Sequence, residues 1–330
     1  MQRFSAVVIT ASCLLLLQGT SSPGQERGHS GGAGTSPPRP AAGRSVLAFI
    51  SDTQTPTWYE SIFLRRDDNE AARDELFRDI LHDTTIAAVF HLGDLTEAGS
   101  RPSAWGWIDH ALHALDSARL PLYLTPGNHE YMWSSEEGMA QLRARFPRLH
   151  TTHGVAGAGG IAVVLLNSNF SEMDEKAKAE QRRWYEHTLD SLDRDPRTRA
   201  IIVGTHHPPY TNSRVVSASK DVRKAFLPRF HNSRKARLFV SGHAHAVEHF
   251  REGGKDFLVT GGGGGLLQPL RTGEGQQWID HTPFHSERRP FHWMRCRLVK
   301  DTLRITIRGR QPNRSGIAPV YRIAIPLPRS

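Results

Sequence analysis

The chain has 330 residues, of which 38% are hydrophobic, and it carries 42 Lys and Arg residues against 33 Asp and Glu residues, a formal net charge of +9. This length and apolar content are enough for one large α/β domain or two small ones with a sizeable core, which excludes a wholly disordered chain. The two cysteines are Cys13 and Cys296. Removal of the amino terminus would leave one, which excludes an internal disulfide.

The amino terminus has the layout of a secretory signal peptide. Arg3 precedes an apolar run at 6–17 that is too short to span a bilayer comfortably, and small and polar residues follow. The alternative is a buried first helix, which would be apolar on all faces. We expect a signal peptide at 1–22, export to the periplasm or the medium, and no transmembrane segment in the mature chain. The Gly-, Ser- and Pro-rich stretch at 23–44 is expected to be a flexible tether.

From residue 46 onward, short β-branched runs alternate with helical patterns. Strands are predicted at 46–50, 86–91, 120–124, 161–166, 200–203, 238–240, 257–260, 293–299, 303–307 and 320–325. Helices are predicted near 70–83, 103–118, 175–192 and 219–231. Strands that lack strict alternation and are separated by helices indicate a sheet covered on both faces, whereas the last four strands indicate an antiparallel finish. Residues 45–330 are therefore expected to form one α/β domain carrying a second sheet.

Polar residues stand just past five of the predicted strands. They are Asp52, Asp94, Asn128 with His129, His206 with His207, and His243 with His245. Because strand carboxyl ends converge on the ligand crevice of an α/β sheet, we expect these side chains to lie together. Carboxylates, an amide oxygen and several imidazoles suit Zn, Mn or Fe, and the set is too rich in nitrogen for Ca or Mg alone. A lone Asp or His at a strand end is more often a capped turn, so the prediction depends on the coincidence of five.

Over about residues 46–265 the chain resembles the calcineurin-like metallophosphoesterase superfamily, which includes the purple acid phosphatases. The motifs Gly93-Asp94, Gly127-Asn128-His129-Glu130 and Gly242-His243-Ala244-His245 match its GD, GNHE and GHxH motifs in order, with His206 between the last two. The resemblance implies an α/β fold of two mixed β-sheets packed as a sandwich and flanked by helices, with a single catalytic domain. It also implies hydrolysis of phosphate monoesters or diesters by water activated between two metal ions.

The resemblance further implies a role for each matching residue. Asp52 and His245 would hold the first metal, Asn128, His206 and His243 the second, and Asp94 would bridge both, the ions being divalent or trivalent Mn, Fe or Zn. Gln54 stands where family members usually have His, so it joins the ligand set as a weak ligand at most. Asp94 is followed by Leu95 and lacks the tyrosine of the purple acid phosphatases, so no tyrosinate colour is expected.

Catalytic roles are implied for Asp94 and for His129, which as an imidazolium would stabilise developing charge or protonate the leaving oxygen, oriented by Glu130 or Asp94. The phosphate-ester substrate is expected to contact Asn128, His129, His207 and Tyr210. Asn169 and Tyr131 are further candidates, since loops after strand ends form the crevice.

Two alternatives stay open. Gln54 leaves room for a metal-binding protein of weak or no activity that recognises phosphorylated ligands on the envelope. Arginines near the carboxyl end suggest a nucleic-acid surface and an exported nuclease: Arg288, Arg289, Arg295, Arg297, Arg304 and Arg308. They lack an interleaved aromatic stacking platform, so we favour a solvated basic surface over nucleic acid. The sequence carries no signal for an oligomeric state.

Overall fold

The computed structural model describes residues 43–58, 60–147, 153–311 and 316–328. The predicted signal peptide at 1–22, and all but the last two residues of the predicted tether at 23–44, lie outside these residues, so both stay predictions, as do the domain bounds. Within the described part of the chain, no helix is both long and apolar enough to cross a bilayer.

Helices and strands alternate along most of the chain. The helices are α1 (Glu60–Phe63), α2 (Asn69–His82), α3 (Gly106–Ser117), α4 (Ser135–Arg145), α5 (Glu175–Arg194) and α6 (Lys220–Asn232). The strands are β1 (Val46–Ile50), β2 (Ile86–His91), β3 (Leu122–Leu124), β4 (His153–Ala158), β5 (Ile161–Leu166), β6 (Ala200–Thr205), β7 (Ala236–Ser241), β8 (Val247–Glu252), β9 (Lys255–Thr260), β10 (His292–Val299), β11 (Thr302–Arg310) and β12 (Ile317–Pro326). Four of these were not predicted: α1, α4, β4 and β8.

The strands form two mixed six-stranded sheets among the described residues, which confirms the predicted fold class. The first has the order β12-β11-β10-β1-β2-β3, and the second has the order β4-β5-β6-β7-β9-β8. In the first sheet β1, β2 and β3 run parallel, and β10, β11 and β12 form the predicted antiparallel finish. The remaining strand of that prediction, β9, lies in the second sheet, where it pairs antiparallel with the unpredicted β8 and parallel with β7.

Successive residues of β1 face two different cores. Leu47 and Phe49 belong to the core shared by the two sheets, where Phe49 stacks on Phe90 with ring centroids 5.0 Å apart. Val46 and Ile50 belong to the core formed with α2 on the outer face of the first sheet. Because β1 is buried on both faces, its sequence is a continuous apolar run without alternation.

The parallel strands bring their carboxyl ends to one edge of the sandwich. There the backbone continues to pair beyond the strands: the Asp52 amide donates to the Gly93 carbonyl at 3.0 Å, and the Gly242 amide donates to the His206 carbonyl at 3.0 Å. These bonds join the loop after β1 to the loop after β2, and the loop after β6 to the loop after β7. These bonds therefore fix neighbouring polar loops of each sheet relative to one another.

Candidate metal centre

The side chains predicted at five strand ends converge in one buried cluster. Ligand-type atoms of Asp52, Asp94 and His206 all lie within 4.8 Å of one another, and the three residues are almost completely buried. The Asp94 Oδ2 to His206 Nε2 distance is 3.3 Å, and the Asp52 Oδ1 to His245 Nε2 distance is 3.4 Å. Asn128 Oδ1 lies 3.1 Å from His206 Nε2. Oxygen and nitrogen donors thus surround a common centre, with Asp52 and His245 on one side and Asn128 and His206 on the other.

The backbone at this centre is strained. Asp52, Asp94 and His243 have φ values of 59°, 55° and 66°, and they are three of the six non-glycine residues with positive φ in the described chain. Side chains seldom adopt this left-handed conformation, and such strain concentrates at functional sites where the surrounding structure enforces it. Asp52 is held by the His243 amide, which donates to both carboxylate oxygens at 3.0 and 3.1 Å.

Two motif glycines and a glycine of the run at 261–265 are required by close approach. A Cβ on Gly127 would lie 2.1 Å from Asp94 Oδ1, and a Cβ on Gly242 would lie 2.5 Å from Asp52 Oδ2. A Cβ on Gly265 would lie 2.6 Å from the His245 ring. Each distance is well inside van der Waals contact. The glycine run at 261–265 therefore helps to enclose the candidate ligands.

Backbone carbonyls fix which nitrogen two of the imidazoles present. His206 Nδ1 lies 2.8 Å from the Leu92 carbonyl oxygen, and His245 Nδ1 lies 2.8 Å from the Leu266 carbonyl oxygen. Because a carbonyl only accepts, each Nδ1 carries a proton, so Nε2 is the ring nitrogen that faces the centre and would bind a metal once the ring is neutral. This is the arrangement in which outer partners orient histidine ligands of metals.

Gln54 is also part of the centre, and its amide has one orientation that satisfies both ends. With Nε2 donating to the carbonyl oxygens of Asp52 at 3.2 Å and Asp94 at 3.1 Å, Oε1 lies 3.2 Å from His245 Nε2. The amide oxygen then stands on the side of Asp52 and His245. A neutral oxygen donor is available there, at the position where the resemblance implied a weak ligand.

His129 lies beside the cluster rather than in it. Its backbone amide donates to Asp94 Oδ1 at 2.9 Å, and its Nε2 lies 3.9 Å from Asp94 Oδ2. Its Nδ1 lies 2.9 Å from the Glu97 carbonyl, which orients the ring. Glu130 or Asp94 was expected to orient His129, and among the described residues no side-chain hydrogen bond joins Glu130 to the His129 ring. Glu130 instead accepts from the backbone amides of the two ligand loops, a role that the motif alone did not reveal.

Burial and neighbouring charge set the protonation of the centre. Burial opposes ionisation of Asp94, but His206 and His129 outweigh it and hold the pKa of Asp94 well below its usual range. Burial, together with the adjacent His207 and His206, keeps the pKa of His243 well below its usual range. The centre therefore offers a carboxylate and a neutral imidazole, the forms that bind metal.

His207 adjoins the cluster but can present a hydrogen-bond donor instead of a metal-binding lone pair. Burial lowers the pKa of His207 to about 3, so the ring is neutral. Ser168 Oγ accepts from the His207 amide at 2.9 Å and lies 2.9 Å from Nδ1 of the same residue. In the tautomer in which the hydroxyl donates to Nδ1, the ring proton is on Nε2. His207 can form a trio with His206 and His243, but its donor suits an anionic substrate better than a metal ion.

A cavity of about 250 Å³ opens beside the metal centre. Its lining includes Asn128, His207, Tyr131 and Asn169, which were candidates from the sequence, and also the carboxylates Glu172 and Asp221, which were not. Tyr210 is absent from the described residues that line it. That side chain packs on Phe257 and Trp278, with ring centroids 5.0 and 5.7 Å away. Substrate contact by Tyr210 stays a prediction.

Comparisons with known proteins agree with this geometry. The model of the calcineurin-like phosphoesterase family matches residues 45–247. A search of curated proteins finds no match. Among solved structures the chain is similar to "GAP50 the anchor in the inner membrane complex of Plasmodium", with a TM-score of 0.60 and 11% identity over 86% of this chain and 89% of that one. It is also similar to a dimetal phosphatase from Danio rerio, with a TM-score of 0.56 and 15% identity over 86% of this chain and 99% of that one. At these identities, the structural likeness shows the fold.

Proposed function

The chain belongs to the calcineurin-like phosphoesterase family, and from this premise we propose that it hydrolyses phosphate esters with the help of two metal ions. The observation that carries the proposal is the convergence of Asp52, Asp94 and His206 within 4.8 Å at the ends of three strands. The donor set fits Mn, Fe or Zn, since it combines carboxylate and amide oxygens with imidazoles whose lone pairs point inward.

The side chains divide into two groups around Asp94. Asp52, Gln54 and His245 would hold one ion, and Asn128, His206 and His243 the other, with Asp94 between them. Bound ions would supply Lewis acidity and a water that is deprotonated near neutral pH. This division rests on the contacts of Asp52 with His245 and of Asp94 and Asn128 with His206.

His129 would act on the substrate. Its Nδ1 proton is engaged by the Glu97 carbonyl, so Nε2 is the atom free to exchange a proton beside Asp94. When protonated, it can donate to a phosphoryl oxygen or to the leaving oxygen. The Nε2–H of His207 would add a second donor for the phosphoryl group, from the wall of the neighbouring cavity.

The cavity at the metal centre favours a small substrate over nucleic acid. The carboxylates of Glu172 and Asp221 line it, beside Tyr131 and Phe170, so a second phosphate group would meet negative charge there. We propose that the alcohol part of the ester is neutral or cationic and occupies this cavity. A cationic group would gain from both the carboxylates and the aromatic faces.

The ion pairs of the carboxyl-terminal arginines also argue against a nuclease. Arg289 is buried and pairs with Asp280. Arg295 pairs with Asp83 and Arg308 pairs with Asp79, both beside the first sheet. Half of the six candidates therefore serve the fold and are not arranged as a phosphate-binding stripe. We expect hydrolysis of small esters without the steep salt dependence of nucleic-acid binding.

The proposal is tested with metal-free protein and two chromogenic substrates, p-nitrophenyl phosphate and bis-p-nitrophenyl phosphate. Mn, Zn, Fe or Ni is added back in turn, and turnover of one or both esters is expected to return. Asp94→Ala and Asn128→Ala should stay inactive, while Asp116→Ala, which removes an exposed carboxylate, serves as the matched control. Wild-type turnover in Asp94→Ala would refute the assignment.

A second function is a metal-binding protein without turnover. Gln54 in place of the usual histidine supports it, and one structure that this chain resembles is GAP50, the anchor in the inner membrane complex of Plasmodium. Bound metal with no hydrolysis of either ester would favour this alternative.

We further propose export, on the strength of the apolar run at 6–17 that follows Arg3. Fractionation of cells that express the full chain should place a shortened protein outside the cytoplasm. Recovery of the full-length chain in the cytoplasmic fraction would contradict export.

A further inference from the structure

A second cavity, of about 390 Å³, adjoins the cavity beside the metal centre. The segment 213–221 forms a shared wall, because Ser219 and Asp221 line the first cavity while residues 213–218 and Lys220 line the second. None of the predicted metal ligands lines the second cavity. Its size is within the range of pockets that hold small organic ligands.

The second cavity is strongly basic. Four cationic residues line it, Arg214, Lys220, Arg223 and Arg271, and no Asp or Glu is among the described residues of the lining. Arg214 pairs with Glu287 at 2.7 Å on the exposed side. The other three charges have no such partner among the described ion pairs. An anion entering the cavity would therefore meet uncompensated positive charge.

Two of the guanidinium groups are held in place. Arg223 Nη1 donates to the Pro209 carbonyl at 2.7 Å, and Arg271 Nη1 donates to the Ser213 carbonyl. Each bond engages one nitrogen and leaves the other donors of the fork for a ligand. Lys220 is the first residue of α6, so the positive end of that helix adds to the potential. Guanidinium groups fixed in this way are suited to phosphate oxygens.

Trp278 supplies a flat apolar surface in the same cavity. Asn212 fixes the backbone of Trp278: Asn212 Oδ1 accepts from the Trp278 amide at 3.1 Å, and Asn212 Nδ2 donates to the Trp278 carbonyl at 2.9 Å. The guanidinium carbon of Arg223 lies 5.8 Å from the indole centroid. The cavity thus combines fixed cations with an aromatic face.

From this combination we propose that the second cavity binds a small organic phosphate that carries a flat ring. The phosphate is bound by Lys220, Arg223 and Arg271, and the ring packs on Trp278. The site is separate from the metal centre and does not depend on hydrolysis. It adjoins the centre through Gln268, which accepts from Ser213 Oγ at 2.7 Å and donates to the His243 carbonyl at 3.3 Å.

The test is calorimetric titration of metal-free protein with adenosine monophosphate, which carries both groups, and with adenosine. Adenosine monophosphate should bind at low salt, and adenosine should bind at least about tenfold more weakly because it makes no bond to the cations. Lys220→Gln and Arg223→Gln should each weaken binding by a similar factor. Asn128→Ala and the exposed-surface control Arg182→Gln should bind like the wild type.

Lys220 is exposed, so Lys220→Gln should fold even if Arg223→Gln loses stability with its bond to Pro209; a thermal melt checks both. Equal binding of adenosine and its monophosphate, or unchanged binding in Lys220→Gln, would overturn the proposal. So would loss of binding in Asn128→Ala alone, which would place the phosphate in the metal centre, and so would the absence of any binding at millimolar adenosine monophosphate.

Discussion

The side chain of Glu130 joins the two loops that carry Asp94 and Asn128. We expect its substitution to lower both stability and metal affinity. Its Oε2 accepts from the amides of Asp94 at 2.9 Å and Gly127 at 2.6 Å, and its Oε1 accepts from the amide of Leu95 at 2.8 Å. The carboxylate is completely buried.

The cost follows from the number of amides left unpaired, each about 1 to 3 kcal/mol when buried. Glu130→Gln can keep the two bonds at the Oε2 position, but its NH₂ group then faces the Leu95 amide, so the loss is about 1 to 3 kcal/mol. Glu130→Ala leaves three amides unpaired and costs about 3 to 9 kcal/mol, comparable with the whole stability of a typical domain. Glu130→Gln is therefore the informative variant.

The assay is urea unfolding of the metal-free protein, together with calorimetric titration by Mn²⁺. Glu130→Gln should unfold at lower urea and bind Mn²⁺ about 10- to 100-fold more weakly, because the ligand loops are less well fixed. Glu136→Gln, an exposed change in the next helix, is the matched control. Wild-type stability and affinity in Glu130→Gln would refute the reasoning.

Three further predictions concern other parts of the chain. Gly242→Ala places a Cβ 2.5 Å from Asp52 Oδ2 and should weaken metal binding at least about tenfold, whereas Gly106→Ala, with open space around it, should not; equal affinities measured by calorimetry would contradict this. Burial raises the pKa of Glu248 from 4.5 to about 7, so the folded chain binds this proton more tightly and loses stability as the pH rises through that interval. Glu248→Gln should remove the loss and be more stable at pH 8 by up to about 3 kcal/mol, with the difference shrinking toward pH 5; parallel urea-unfolding profiles would argue against it. His129→Gln should lower kcat about 10²- to 10⁴-fold while elemental analysis finds the wild-type metal content, and a loss of metal instead would make His129 a ligand.

The sequence predicts that the candidate ligands lie together, and the reason is local. Asp52, Asp94 and His206 follow strands whose apolar runs are easily recognised, and parallel strands must end at a common edge. The sequence does not predict the positive φ values of Asp52 and Asp94, because most aspartates have a negative φ.

The missed elements lack periodic signals. The β4 sequence HGVAGA is rich in Gly and Ala, which disfavour strands, and pairing with β5 along all six residues overrides that preference. The β8 sequence VEHFRE begins with four buried residues, among them Glu248 and His249, so it shows no apolar alternation. Its partner β9 supplies the hydrogen bonds and sets the register.

Contacts between residues far apart in the sequence explain why the role of Glu130 and the second cavity were not predicted. Glu130 was expected, as an alternative to Asp94, to orient the neighbouring His129. Its partners are instead the amide of Gly127 and the amides of Asp94 and Leu95, which lie far away in the chain. The second, basic cavity draws Arg214, Arg223 and Arg271 from separate segments. Only the folded chain brings such residues together.

The most direct test of the two-metal account is a titration of the metal-free protein with Mn²⁺, followed by bound metal, electron paramagnetic resonance and hydrolysis of p-nitrophenyl phosphate or its diester. The account predicts two ions per chain, a spin-coupled signal because Asp94 stands between the two ligand groups, and turnover that rises with the second equivalent. Saturation at a single uncoupled ion, or two bound ions with no turnover of either ester, would contradict it.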